Sequence, residues 1–317
     1  MVEVDQLCKR YGDTLAIDSV TFQAREGEIL AFLGKNAAGK TTTMRIMTGF
    51  MPPTSGTVRI GGADIRENSV QARRQIGYLP ETAPLYDEMT VQSYLTFCAR
   101  IREVPNREVL GRVERVMDSV NIIQRRNWII GKLSKGLRRR VALAQALVHN
   151  PRVLILDEPT EGLDPEQIIE IRALIRNLRG DHTVILSTHI LTEAQALADR
   201  IVIIDGGRIV ATDTTQNLTH AVQRVQRLRV EADAPLAEVR QRLKSITGVQ
   251  LVERIDTERS RFVVESARDM DLRSRVAESI VSAGWPLLEL ERLEPTLEDV
   301  FLSITGRRTA AAAEDVA

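Results

Sequence analysis

Apolar residues fall into short continuous runs in the earlier part of the chain and into spaced or alternating sets in the later part. The runs Ile29-Leu30-Ala31-Phe32-Leu33, Val153-Leu154-Ile155-Leu156 and Val184-Ile185-Leu186 are too short for helices and show no polar alternation. That pattern predicts strands buried on both faces of a parallel sheet. Ile201-Val202-Ile203-Ile204, the turn Asp205-Gly206-Gly207 and Arg208-Ile209-Val210 predict a hairpin that closes the first domain. Between Glu81 and Leu133 the pattern turns helical, with Val91, Leu95, Cys98 and Ile101 on one face and Leu110, Val113, Met117 and Val120 on another. A polar stretch from Thr214 to Arg224 predicts a linker. Beyond it we expect a strand from about Leu228 to Glu231 and a helix with Leu236, Val239, Leu243 and Ile246 at helical spacing. Strands near Val249 to Ile255 and Arg261 to Glu265, a helix with Leu272, Val276 and Ile280, and a strand near Leu287 to Leu290 follow.

Chemistry concentrates where two of the buried runs end. Behind Leu33 comes Gly34-Lys35-Asn36-Ala37-Ala38-Gly39-Lys40-Thr41, which fits G-x-x-x-x-G-K-[ST] and stands directly after a strand, as such a loop requires. Successive backbone N–H groups and the start of a helix present partial positive charge to anionic oxygens. Lys40 adds a full charge, and the Thr41 hydroxyl suits Mg²⁺. The loop therefore predicts a nucleoside triphosphate site, against the plainer reading of a Gly-rich turn. Behind Leu156 stand Asp157 and Glu158. Ligands of parallel sheets collect outside the carboxyl ends of the strands, so Asp157 can hold the metal and Glu158 can reach an attacking water. That division of labour is a hydrolase's; without the loop at Gly34, the two acids could merely open a turn before Pro159.

With LSKGL at Leu133 to Leu137, EGLD at Glu161 to Asp164 and STH at Ser187 to His189, in that order, the chain resembles the ABC-type ATPases. The resemblance covers the whole length, and the last hundred or so residues look like the subfamily serving drug-export and gliding-motility type transporters. It implies an α/β P-loop NTPase domain over residues 1–220, with a helical subdomain at about 82–150. The order βαββαβ fits a small C-terminal α+β domain of ferredoxin-like type at 225–308. The segment from Leu293 to Gly306 looks like the subfamily's closing helix, and the Ala-rich tail at 309–317 predicts disorder.

The resemblance also implies roles, residue by residue. ATP would lie on Gly34, Asn36, Ala37, Ala38, Gly39, Lys40, Thr41 and Thr42, with Mg²⁺ held by Thr41, Asp157 and Glu81. Glu158, His189 and Lys40 would carry catalysis. Tyr11 is either a packing residue or an aromatic stacked on adenine, the role the family favours. His189 would be a core histidine by residue type alone, and in the family it reaches the γ-phosphate. Ser134 would cap the helix that starts at Lys135. In the family that helix start, with Ser134 and Gly136, faces the γ-phosphate bound by a second subunit, so two ATP molecules lie between two copies or paralogues.

Four departures from the family pattern stand out. Ala37 replaces a usual Gly and Lys35 a usual Pro, and Ala37 is costly if its backbone is left-handed. Lys135 and Leu137 replace a Gly and a Gln of the signature. Glu161 stands where a small polar residue is usual. Glu81 replaces a Gln that touches Mg²⁺ and signals to the membrane subunit, and an ionised Glu accepts hydrogen bonds but donates none.

Composition narrows the remaining choices. A length of 317 residues with 43% apolar content accommodates two cores. Lys and Arg number 43 against 43 Asp and Glu, and only 4% of residues are aromatic, which argues against a nucleic-acid partner. Cys8 and Cys98 form no metal-spaced pair and fit a reducing cytosol. No apolar run approaches the roughly 18 residues of a membrane span, and the start lacks signal-peptide character. The expected function is thus an ATP-hydrolysing motor subunit, peripheral on the cytoplasmic face of a membrane, powering a separate transmembrane permease, with export the direction the resemblance suggests. Two rivals remain at this stage: a soluble ABC ATPase acting on ribosomes or DNA, and a low-turnover nucleotide-dependent regulator. The single cassette without sustained heptads disfavours the first.

Overall fold

The computed structural model describes residues 1–222, 225–256, 260–267, 270–293 and 296–303. Two compact units divide the chain, Met1–Thr215 and Gln216–Ala317. The first opens with strands β1 (Val2–Tyr11), β2 (Thr14–Ala24) and β3 (Ile29–Leu33), then helix α1 (Lys40–Met47), β4 (Ser55–Ile60), β5 (Ala63–Asp64), α2 (Ser69–Arg74) and β6 (Ile76–Leu79). Helices α3 (Val91–Ile101), α4 (Asn106–Ser119) and α5 (Lys135–Leu147) follow. The unit continues through β7 (Val153–Asp157), α6 (Pro165–Asn177), β8 (Thr183–Thr188), α7 (Leu191–Leu197), β9 (Arg200–Asp205) and β10 (Arg208–Asp213). Helix α8 (Thr215–Val222) occupies most of the stretch expected to be a linker. Its polar sequence hides one apolar anchor, Leu218, which is buried; residues 223 and 224 lie outside the described residues.

The buried runs become the strands of a six-stranded sheet in the order β10-β9-β3-β8-β7-β6. All its neighbours are parallel except the terminal hairpin pair β9 and β10. Every residue of β3, β7 and β8 is buried, as unalternating strands covered on both faces must be. A second, antiparallel sheet in the order β2-β1-β4-β5 packs on it. The Phe22 and Phe32 rings, 5.2 Å apart, join the two sheets beside Met44 and Met47 of α1.

The helical region corrects two sequence-based expectations. Val91 and Leu95 face inward with Tyr94 and Ala99, whereas Ile101 is exposed at the end of α3. In α4 the buried set is Val109, Val113, Val116 and Met117, and Leu110 points to solvent. A helix of this length has enough apolar residues for two overlapping stripes, and neighbouring elements decide which is covered.

Just beyond α5, His149 is mostly buried, with Nε2 3.0 Å from the Ile76 carbonyl oxygen and Nδ1 buried without a partner. Burial first, then the Arg102 charge, pushes its pKa from 6.5 down to about 4. The unfolded chain therefore takes up a proton that the folded one refuses, so stability is lost as pH falls from 6.5 toward 4. The loss amounts to about 3 kcal/mol at most. Urea unfolding midpoints should fall across that window, and less steeply in His149→Gln.

In the second unit, β11 (Val225–Ala232), α9 (Leu236–Lys244), β12 (Val249–Arg254), β13 (Arg261–Ala267), α10 (Arg273–Ser282) and β14 (Leu287–Leu293) form an antiparallel sheet in the order β12-β13-β11-β14. That strand order with two helices is the ferredoxin-like arrangement. Leu228, Val230, Phe262 and Val264 meet Val239 and Leu243 of α9 and Val276 and Ile280 of α10 in one core. Residues 297–303 are helical. The rest of the expected closing helix, at 293–306, falls partly on residues outside those described, as does the whole tail 309–317.

Candidate functional site

The loop between β3 and α1 is shaped by what surrounds it. The Gly34 N–H donates to the Thr188 carbonyl at 3.3 Å, and a Cβ on Gly34 would come within 2.5 Å of the Ile204 carbonyl oxygen. Gly39, at φ +105°, would press a Cβ to 2.9 Å from the Ala16 oxygen. Ala37 sits at φ +63°, so the usual Gly has given way to alanine at a left-handed position. The cost is about 1–2 kcal/mol. Lys40 is buried at the start of α1, with Nζ donating to the carbonyl oxygens of Gly34 at 2.7 Å and Lys35 at 3.1 Å. The same ammonium is 3.3 Å from Glu158 Oε1.

Strand β8 lies between β3 and β7, and its Ser187 links the two motifs. Ser187 Oγ donates to Asp157 Oδ1 at 2.5 Å and accepts from the Glu158 N–H at 3.0 Å. Thr41 Oγ1 lies 3.4 Å from the same Asp157 oxygen. Burial pushes the Asp157 carboxyl up from its ordinary pKa, against hydrogen bonds from Ser187 and Thr41 that pull it down. A cation between the Thr41 and Asp157 oxygens would relieve that burial, and two hard oxygen donors suit Mg²⁺. Glu158 holds a positive φ of 45° that non-glycine residues rarely adopt. His189 Nδ1 is 3.0 Å from Glu158 Oε2, and its Nε2 is 3.9 Å from Glu161 Oε2.

A cavity of about 630 Å³ opens above these groups. That volume lies within the usual range of small-molecule sites, about 300–1,000 Å³. Asn36, Ala37, Gly39, Lys40, Thr41, Thr42, Glu81, Glu158 and His189 line it, so the residues picked out along the chain from 36 to 189 are brought together. Gly34, Ala38 and Asp157 are not among the lining residues; Ala38 and Asp157 are buried. Tyr11, Ser134 and Gly136 stand outside the cavity as well. Tyr11 is exposed, its hydroxyl 3.0 Å from Met51 Sδ, and it pairs with Thr14, which does line the cavity. Ser134 caps α5 by accepting from the Leu137 N–H at 3.4 Å. A Cβ on Gly136 would come within 2.2 Å of Gln167 Oε1, so a side chain there would require the Gln167 side chain to shift. Gly162 likewise leaves space for the Lys135 ammonium.

Sequence reading missed Thr14, Leu15, Ala16, Gly206 and Gly207, which also line the cavity. They arrive because the Asp18 N–H donates to the Gly207 carbonyl at 2.9 Å and the Gly207 N–H to that of Ala38 at 3.1 Å. No local signal in the sequence announces such a pairing.

The family model described as ABC transporter matches residues 17–161. The daunorubicin resistance ATP-binding protein DrrA3 of Streptomyces coeruleorubidus is 33% identical, with 98% of each chain covered. The linearmycin resistance ATP-binding protein LnrL of Bacillus subtilis (strain 168) is 30% identical over 97% of this chain and 99% of its own. Among solved structures, an ATP-binding subunit of an ABC transporter superposes with a TM-score of 0.64 at 31% identity, covering 70% of this chain and 92% of that one.

Proposed function

The chain belongs to the ABC transporter ATP-binding proteins, and from that membership we propose how its site binds and hydrolyses ATP and what it drives. It is an ATP-binding subunit and an ATPase. The observation that carries the reading is the meeting of Lys40, Thr41 and Glu158 at one cavity, at the carboxyl ends of parallel strands, with Asp157 buried at the end of β7.

The triphosphate lies on the loop from Gly34 to Thr42 and against the N-terminus of α1, where unpaired N–H groups attract anions. Lys40 leaves the Gly34 and Lys35 carbonyls for the terminal phosphates. Mg²⁺, when bound, neutralises phosphate charge; Thr41 and Asp157 would hold it, and Glu81 also lines the cavity. Glu158 takes the proton of the attacking water, and His189 keeps the Glu158 carboxylate oriented while facing the γ-phosphate. Tyr11 stacks on the adenine from the end of β1.

Ser134 and Gly136 open α5 away from this cavity, so we assign them to the nucleotide of a second copy or paralogue. Lys135 adds a full positive charge at that helix start. Among the described residues no helix is long and apolar enough to cross a membrane. We take the permease as a separate partner and place its contact on the helical region, where Tyr86, Phe97 and Trp128 are exposed. Peripheral attachment at the cytoplasmic membrane face follows from that partner. Export is the direction in keeping with the resistance proteins above. The unit beyond Gln216 carries none of the assigned ATP-site residues, and we take it as accessory.

If two copies complete each other's sites, ATPase activity per subunit rises with protein concentration until the dimer saturates. Activity measured with sizing at each concentration tests this. Constant specific activity over a wide dilution, in protein shown to be monomeric, would contradict the shared site.

A further inference from the structure

Arg139 lies in the second turn of α5 and is buried. All five of its N–H donors find backbone carbonyl oxygens. Nε donates to Pro159 at 2.8 Å, Nη1 to Pro80 at 3.0 Å and Glu81 at 2.8 Å, and Nη2 to Asp157 at 3.0 Å and to Glu158. Asp157, Glu81, Glu193 and Glu158 attract its charge from nearby, yet its hydrogen bonds go to main chain. Those carbonyls belong to two places, the turn after β6 that carries Glu81, and the end of β7 with the turn behind it that carries Glu158.

We infer that Arg139 is a positioning residue that fastens these two turns into one unit and so holds Glu158 in its left-handed backbone. The inference rests on Glu158 being the base proposed above. At φ 45° Glu158 is held from both sides, its N–H by Ser187 Oγ and its carbonyl by Arg139. A residue in a sparsely populated conformation stays there only while its surroundings over-determine it. With Arg139 gone, that carbonyl keeps only the Glu161 N–H at 3.2 Å and the tie to the turn of Glu81 is lost, so the carboxylate leaves the place where it meets Lys40 Nζ and His189 Nδ1. Lysine keeps the charge but has three donors on one atom, and cannot reproduce a planar fork spanning both turns.

The test compares Arg139→Gln, Arg139→Lys and Glu158→Gln in the full chain, reading equilibrium ATP affinity and kcat separately. Arg139→Gln is expected to lose about 10²-fold in kcat, the scale of a 1 Å misplacement, with affinity changed less than about threefold because the loop at Gly34 is untouched. Arg139→Lys is expected to recover only part of that loss. Unchanged kcat in Arg139→Gln, full recovery in Arg139→Lys, or a parallel loss of affinity and kcat in folded protein would each overturn the inference. Turnover by Glu158→Gln would instead strike the underlying reading; a dead Glu158→Gln beside a normal Arg139→Gln strikes only this one. Should Arg139→Gln not fold, hydrogen exchange of the unaltered chain decides. Amides of 81–83 opening together with those of Asp157, Glu158, Thr160 and Glu161 support the fastening, and independent opening overturns it.

Discussion

Glu158→Gln is expected to lower ATP turnover by about 10²–10⁴-fold, the usual contribution of a positioned acid or base, and to leave nucleotide affinity close to that of the unaltered chain. Glutamine matches the carboxylate in size and can still bond to His189, whose Nδ1 lies 3.0 Å from Glu158 Oε2. It cannot accept the proton of an attacking water. It also removes the negative charge that stands 3.3 Å from Lys40 Nζ, which frees that cation for phosphate. Single-turnover phosphate release and equilibrium nucleotide binding, measured on one preparation, separate the two effects. Ordinary turnover in this variant would remove Glu158 from the role of base.

Lys40→Ala should fail one step earlier, at binding. A charged hydrogen bond contributes about 1.5–3 kcal/mol, so losing the ammonium weakens ATP binding by about 10- to 100-fold. The variant also leaves the Gly34 and Lys35 carbonyls and the Glu158 carboxylate without their shared cation. A thermal melt alongside the affinity measurement shows whether the loop still folds. A folded Lys40→Ala that binds ATP as well as the unaltered chain would contradict the assignment.

Features carried by contiguous residues were legible in the sequence. Continuous apolar runs become β3, β7 and β8, because a strand covered on both faces has no polar side to interrupt it. The phosphate-loop pattern is local, and so is the pair Asp157 and Glu158, so their positions could be read directly. Whether position 37 is left-handed could be stated only as a condition, and the structure supplies the φ of +63°. The exposed sides of Ile101 and Leu110 depended on which stripe of α3 and α4 met a neighbour. Arg139 stands in the run Arg138-Arg139-Arg140, where nothing local sets it apart from its neighbours. Only the folded chain shows that Arg138 pairs with Asp87 and Arg140 with Glu170, while Arg139 turns inward to two backbone turns. Ser187 was visible as a motif letter, but its place between Asp157 and the Glu158 N–H follows from β8 lying between β3 and β7.

The dependence of the phosphate loop on the Ile204 and Gly207 backbone matters before the chain is finished. On the ribosome, the entire loop sequence has been made once Thr41 is added, but the hairpin that shapes it is still unwritten. At about 5–20 residues per second, synthesis reaches Gly207 roughly ten to thirty seconds later. Until residue 183 is reached, the nascent chain holds the apolar run Ile29 to Leu33 without either β8 or β9 to pair with it. ATP cannot act as a folding ligand in that time, because the cradle that would recognise it does not yet exist. The site is therefore among the last parts of its unit to become buildable, and nucleotide cannot stabilise the unit until then.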